Sequence, residues 1–205
     1  MAITTADIKA LREETNAGIM DCRKALEEAG GDFNKALEEL RKKGLEKAAD
    51  RAEREAAEGV VELYSHGDGR VGVMVEVNCE TDFVARSEAF RNFAHEIALQ
   101  VAAASPKYVH EDDIPEQVLA EEIDAARTYA LESGKPESII DRIVEGRLNK
   151  FKDETCLLRQ PYIRDDEITV NELLLQNVAA MGENVIIRRI ERWELGELSA
   201  INESD

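Results

Sequence analysis

The chain has 205 residues, 44 acidic against 26 basic, and a formal net charge of −18. That balance argues against nucleic acid, whose phosphate backbone is met by clustered Lys and Arg, and against an anionic membrane surface, so a protein or a small molecule is the expected partner. Hydrophobic residues at 43% and interspersed charges at 34% exclude a disordered chain and suit one or two domains with a real core.

Residues 1–45 read as three short helices. The first starts near Thr5, with Ile8 and Leu11 on one face, and TNAG at 15–18 breaks it. The second covers 19–29 with Cys22, Ala25, Leu26 and Ala29 inward, and Gly30-Gly31 stops it. Asp32 is a good cap for the third, which buries Phe33, Ala36, Leu37 and Leu40 and is expected to stop at Gly44. Residues 46–58, charged and alanine-rich, read as a helical tether between a small N-terminal domain (1–45) and a core domain (59–205).

From residue 59 the period changes from 3.6 to 2. Val61 and Leu63 alternate with polar residues, as do Val71, Val73, Val75 and Val77, and HGDG at 66–69 supplies a tight turn. The pattern predicts a hairpin with these residues on its buried face, and Gly72 and Met74 suggest partial cover on the other. After the corner TDFV (81–84), Ser87 caps a helix whose stripe is Phe90, Phe93, Ala94, Ile97, Ala98 and Val101. Helices over 115–133 and 136–152, separated by SGKP, form an antiparallel pair, the second with Ile139, Ile140, Ile143, Val144, Leu148 and Phe151 on one side. Residues 156–167 read as extended. TVNE at 169–172 is a capping box opening a further helix, and 184–195 is a strand that pairs with the hairpin, its imperfect alternation admitting a bulge. The last ten residues are expected to fray. The fold class is α+β: a three-helix domain, a charged tether, and a small antiparallel sheet covered by helices.

Residues with obvious chemistry are few. His66, His95 and His110 lack metal-ligand spacing, and there is no CxxC, P-loop or GxSxG. GDGRVG at 67–72 fills a hairpin turn rather than opening a helix, so it is a poor phosphate cradle. No catalytic constellation, cofactor motif or metal site is expected. Cys22, Cys79 and Cys156 are odd in number and widely spaced, which fits a reducing compartment. MAITTADIKALREE lacks the basic and apolar regions of a signal peptide, and no apolar run approaches the ~20 residues of a membrane span. A cytoplasmic protein is expected.

Two features resist a purely structural account. Ile19 and Met20 are adjacent apolar residues at a helix start, and both cannot face one three-helix core; either one is a tolerated surface residue or the pair is a contact patch. Phe83 occupies a corner, where small or polar residues are usual. Either it folds back as a staple onto the helix beginning at Ser87, or it is an exposed anchor with Asp82 and Arg86 as flanking polar contacts.

LREETNAGIMDCRKALEEAGGD (11–32), VEVNCETDFVARSEAF (75–90), SGKPESIIDRIVEGRLNKF, QPYI and TVNELL together resemble the bacterial elongation factor Ts family, nucleotide-exchange factors for elongation factor Tu, over nearly the whole chain. The resemblance implies that Thr81, Asp82, Phe83 and Val84 intrude near the Mg²⁺ of the partner's nucleotide site and dislodge it. It implies that the N-terminal domain, similar to ubiquitin-associated domains, docks through Arg12, Ile19 and Met20. Ile19 departs mildly from a family pattern that favours Met there. Long members carry two strand-and-helix units in the core and this chain carries one, in which His66 and Gly67 resemble a further partner contact. Such short members are associated with homodimers. Rival readings are a ubiquitin-associated-type binding module without exchange activity, and a small-molecule enzyme with its pocket between sheet and helix pair.

Overall fold

The computed structural model describes residues 3–15, 17–134 and 136–197. Among them the helices are α1 (Thr5–Thr15), α2 (Ile19–Glu28), α3 (Phe33–Ala49), α4 (Asp82–Ala85), α5 (Glu88–Ala104), α6 (Glu116–Glu132), α7 (Ile140–Thr155) and α8 (Val170–Met181). The strands are β1 (Glu58–His66), β2 (Val71–Cys79), β3 (Pro161–Tyr162), β4 (Asp165–Thr169) and β5 (Val185–Glu194). A three-stranded sheet has the order β1-β2-β5, and β3 pairs antiparallel with β4. The class is α+β, as the change of period predicts. No helix among the described residues is long and apolar enough to cross a membrane. Of the ten C-terminal residues expected to fray, 198–205 lie outside the described residues.

The chain divides into two compact units. The first comprises Met1–Val61, Glu76–Ala94 and Glu172–Ile186, the second Glu62–Val75, His95–Asn171 and Ile187–Asp205.

In the first unit, Leu11, Cys22, Ala25, Leu26, Ala36 and Leu40 make a closed core, with Ile8, Phe33 and Leu37 packed against it. Asp32 caps α3 by accepting from the Lys35 amide at 3.2 Å. The helix does not stop at Gly44, however; it continues to Ala49, through part of the segment read as a tether. Gly44 is there for space: a Cβ at this position would lie 3.3 Å from the Ala179 methyl on α8. Glycine is also required where β1 begins, because Gly59 has φ +151° and a Cβ on it would fall 2.1 Å from the Val77 carbonyl oxygen.

The α5 stripe is buried throughout, Phe90, Phe93 and Ala94 in the first unit, Ile97, Ala98 and Val101 in the second. In the second unit α6 and α7 pack through Ala126, Ala130, Ile140 and Val144. Ile139 does not join them. It closes a 3₁₀ turn ahead of α7 and is exposed. Residues 156–167 are not one extended segment: a 3₁₀ turn at Leu157–Arg159 leads into the β3–β4 hairpin. A buried amide pair sets that bend. Gln100 Nε2 donates to Gln160 Oε1 and to the Pro161 carbonyl, both at 3.2 Å, and Gln100 Oε1 accepts from the Ile163 amide at 2.9 Å. Losing either partner would strand a buried polar group, at about 1–3 kcal/mol.

β1 has the predicted period and the opposite face. Val60, Glu62 and Tyr64 turn inward, while Val61 and Leu63 are exposed. The inward Glu62 is accommodated by His95 Nδ1 at 2.9 Å, and the Tyr64 ring meets the same imidazole edge-on at 5.7 Å between centroids. Val73, Val75 and Val77 of β2 are buried as expected, and Met74 on the opposite face is partly covered, 46% exposed. In β5 the inward positions are Val185 and Ile187, then Ile190 and Arg192; the consecutive exposed Arg188 and Arg189 shift the parity, as an extra residue in a strand does.

Candidate interaction site at the strand-to-helix corner

The corner is built by the end of β2 and one helical turn. Thr81, extended at φ −126° and ψ 151°, caps α4 by accepting the Val84 amide on its hydroxyl at 3.3 Å. Ala85 turns inward and is buried, and Ser87 opens the next helix by accepting the Phe90 amide at 3.2 Å. Phe83 points away from all of this and is 83% exposed. The staple is therefore excluded: the ring does not fold back onto α5. Asp82 and Arg86, one turn apart and both exposed, pair with each other at 2.9 Å and flank the ring with a neutralised acid and base.

A four-residue helix cannot hold its own shape in water. Outside contacts hold this one. The Glu183 carboxylate, from the turn after α8, accepts from the Thr81 amide at 3.1 Å and from the Thr81 hydroxyl at 2.6 Å. The Cys79 thiol donates to the Thr81 carbonyl at 3.2 Å. Burial, with the Glu183 charge adding to it, pushes that thiol up to about 11, so it stays a proton donor at neutral pH. Next to Glu183, the Asn184 amide donates to Glu80 Oε1 at 2.6 Å, and its side chain donates to the carbonyls of Ala52 (3.3 Å) and Arg54 (2.7 Å) beyond α3. Nothing in the sequence pattern marks Glu183 or Asn184, which lie about a hundred positions from Thr81 and resemble any helix-to-strand connection.

Ile19 and Met20 occupy the first turn of α2, 54% and 72% exposed, while Cys22, Ala25 and Leu26 face the core. Neither enters the core, so the pair forms an outward apolar step. Arg12, in the last turn of α1, is exposed on the same three-helix cluster. His66 ends β1 and Gly67 opens the turn to β2, both in the second unit and exposed; His66 Nδ1 shares a hydrogen bond with the Tyr64 hydroxyl at 3.0 Å.

An exposed aromatic on a braced turn, following a hairpin and preceding a fully apolar helix stripe, is the arrangement carried by the sequence VEVNCETDFVARSEAF. The family model described as Elongation factor TS matches residues 4–197. The chain belongs to the elongation factor Ts family. It is 57% identical over 195 residues to elongation factor Ts of Caldanaerobacter subterraneus subsp. tengcongensis, covering 95% of this chain and 98% of that protein. It is 55% identical over 195 residues to elongation factor Ts of Moorella thermoacetica (95% and 96%) and 50% identical over 197 residues to that of Coprothermobacter proteolyticus (96% and 100%). The chain is thus matched along almost its full length by relatives of similar size.

The remaining reactive side chains in this family member serve the fold. His95 pairs with Glu62, and His110 accepts the Asp112 amide at 3.2 Å to cap a 3₁₀ turn. Cys22, Cys79 and Cys156 are free thiols and buried. Among the described residues, no group of three or more His, Cys, Asp and Glu could hold a metal ion. A shallow cavity of about 320 Å³ lies over β1, β2 and β5, lined by Leu63, Gly72, Met74 and Trp193 with Glu191 at its side.

Proposed function

We propose that this chain is a guanine nucleotide exchange factor for elongation factor Tu, acting in translation elongation in the cytoplasm. The observation that carries the reading is Phe83: a large apolar side chain, 83% exposed, on a turn braced by Glu183 and Cys79. An aromatic held in water in this way gains free energy only by entering a partner, where it buries about 150–250 Å². Thr81, Asp82, Phe83 and Val84 enter the nucleotide-binding domain of GDP-bound elongation factor Tu near its Mg²⁺. Magnesium tolerates little departure from octahedral geometry, so a small displacement of its ligands weakens metal and GDP together.

The thermodynamics is linkage. The factor and GDP bind the same partner with opposed preference, and each weakens the other by the same free energy. A hundredfold loss of GDP affinity corresponds to ~2.7 kcal/mol. No covalent bond is made or broken in this process, so the chain is not an enzyme in the bond-making sense. Arg12, Ile19 and Met20 dock the N-terminal domain on the same partner, which gives the outward apolar step a purpose, and His66 and Gly67 add a further contact.

The chain acts as a homodimer. Leu63, Met74 and Trp193 present exposed apolar surface around one shallow cavity, 70%, 46% and 73% exposed. Two chains of charge −18 repel, and they approach most easily where the surface carries least charge. The test of the whole reading is release of fluorescent GDP from elongation factor Tu: stimulation by substoichiometric amounts of this chain supports it. Binding without faster release leaves a docking module, and no binding overturns the reading.

A further inference from the structure

We infer that Glu183 is the positioning residue for the exchange turn: its carboxylate fixes the direction in which Phe83 points. The inference rests on the role proposed for Phe83 and adds to it a residue outside the TDFV segment. The geometry is specific to a carboxylate. Thr81 offers two protons, on its amide and on its hydroxyl, and each finds its own Glu183 oxygen, at 3.1 and 2.6 Å. The hydroxyl has one proton. Once that proton is committed to Glu183, the oxygen's lone pairs are left to receive the Val84 amide, which is the capping bond of α4. Without Glu183 the hydroxyl is free to rotate its proton elsewhere, and the cap weakens with it. A hydroxyl that donates to an anion is also a better acceptor, so the two bonds strengthen one another.

Glu183 does not act from a loose loop. Asn184, its neighbour, grips the Glu80 carboxylate through its amide and the carbonyls of Ala52 and Arg54 through its side chain. The Glu183–Asn184 turn therefore ties the residues following α3 to the residues preceding α4. All of these groups lie in the first unit. Thr81 and Phe83 are exposed, so water can replace the lost partners when Glu183 is removed. What is lost is chiefly direction rather than stability, and misplacing a reacting group by about an ångström can cost roughly a hundredfold in rate.

Glu183→Ala and Glu183→Gln are to be compared with wild type in two measurements, and again in a Phe83→Ala background. In the free protein, hydrogen exchange at the Thr81 and Val84 amides is expected to accelerate about tenfold in Glu183→Ala, with distant amides unchanged. In the exchange assay the maximal rate of GDP release is expected to fall about tenfold, while the half-maximal factor concentration, carried by the N-terminal docking, stays within about twofold. Glu183→Gln, which keeps one acceptor oxygen for two donors, falls between the two. In the Phe83→Ala background, Glu183→Ala adds no further loss, because it acts through the ring. Unchanged amide protection, or a loss of the same size with and without Phe83, overturns the proposal. If Phe83→Ala alone leaves GDP release intact, the wedge reading falls, and amide protection still decides whether Glu183 fixes the turn. Should Glu183→Ala fail to fold, Glu183→Gln supplies both measurements.

Discussion

Replacing Phe83 by alanine separates a structural side chain from one that works on a partner. With the ring 83% exposed, only roughly 25–40 Å² of it is buried within the chain, worth about 0.6–1 kcal/mol at ~25 cal/mol per Å². The melting free energy of Phe83→Ala is therefore expected to fall by no more than about 1 kcal/mol, well short of the ~3–5 kcal/mol of a core phenylalanine. Burying the exposed remainder in a partner draws on roughly 125–210 Å², an upper limit near 3–5 kcal/mol. If half of that is realised only as GDP leaves, stimulated release drops at least about tenfold, since each 1.36 kcal/mol is a factor of ten in rate. The assay is stopped-flow release of fluorescent GDP from elongation factor Tu at saturating factor, paired with thermal melting of the same preparation. Large destabilisation with normal activity of the folded fraction would show that the ring is structural and that the wedge lies elsewhere.

Further outcomes follow from other parts of the chain. Replacing the exposed Ile19 and Met20 together by serine should leave the fold intact yet raise the concentration needed for half-maximal exchange severalfold; an unchanged concentration refutes docking through this apolar step. Sedimentation of the wild type should give about twice the chain mass. Trp193→Glu, which puts a charge on the apolar sheet face, should give single chains; a wild type that sediments as a fully active single chain removes the dimer. Because burial raises the Cys79 thiol to about 11 in the folded state, the thiol's contribution to stability is complete below its unfolded value near ~8.5 and is lost as pH rises through about 11. Cys79→Ser, which keeps a donor for the Thr81 carbonyl and does not ionise in this range, should flatten the alkaline fall of the melting temperature between those values. A fall as steep as the wild type's would assign it to other groups.

Periodicity made much of this fold legible, because it reports which residues share a face. The α5 stripe, the inward faces of α1 and α2, and the α6–α7 pair all follow from it. It does not say which face is covered. In β1 the alternation is correct and the assignment reversed, since an inward Glu62 is unacceptable until a histidine 33 positions away is known to meet it. Gly44 shows a related limit: glycine marks permissiveness, and sequence cannot tell a helix stop from a site where another helix comes close. The Gln100–Gln160 pair and the Glu183 clamp were invisible because long-range hydrogen bonds between ordinary polar residues leave no spacing to detect. At the site itself, the oddity of a corner phenylalanine was readable. The brace that aims it was not.

The close approach of Gly44 and Ala179 also bears on how this sequence can vary. With a Cβ at 44 placed 3.3 Å from the Ala179 methyl, the two positions share one small volume between α3 and α8. A methyl at 44 requires the Ala179 methyl to yield by a few tenths of an ångström, so what position 44 accepts depends on what stands at 179. Alanine at 44 with glycine at 179 is the neighbouring solution of nearly equal volume, and between the two lies an intermediate that is either crowded or hollow. Two residues far from every proposed contact are thus coupled by nothing more than the space available between two helices.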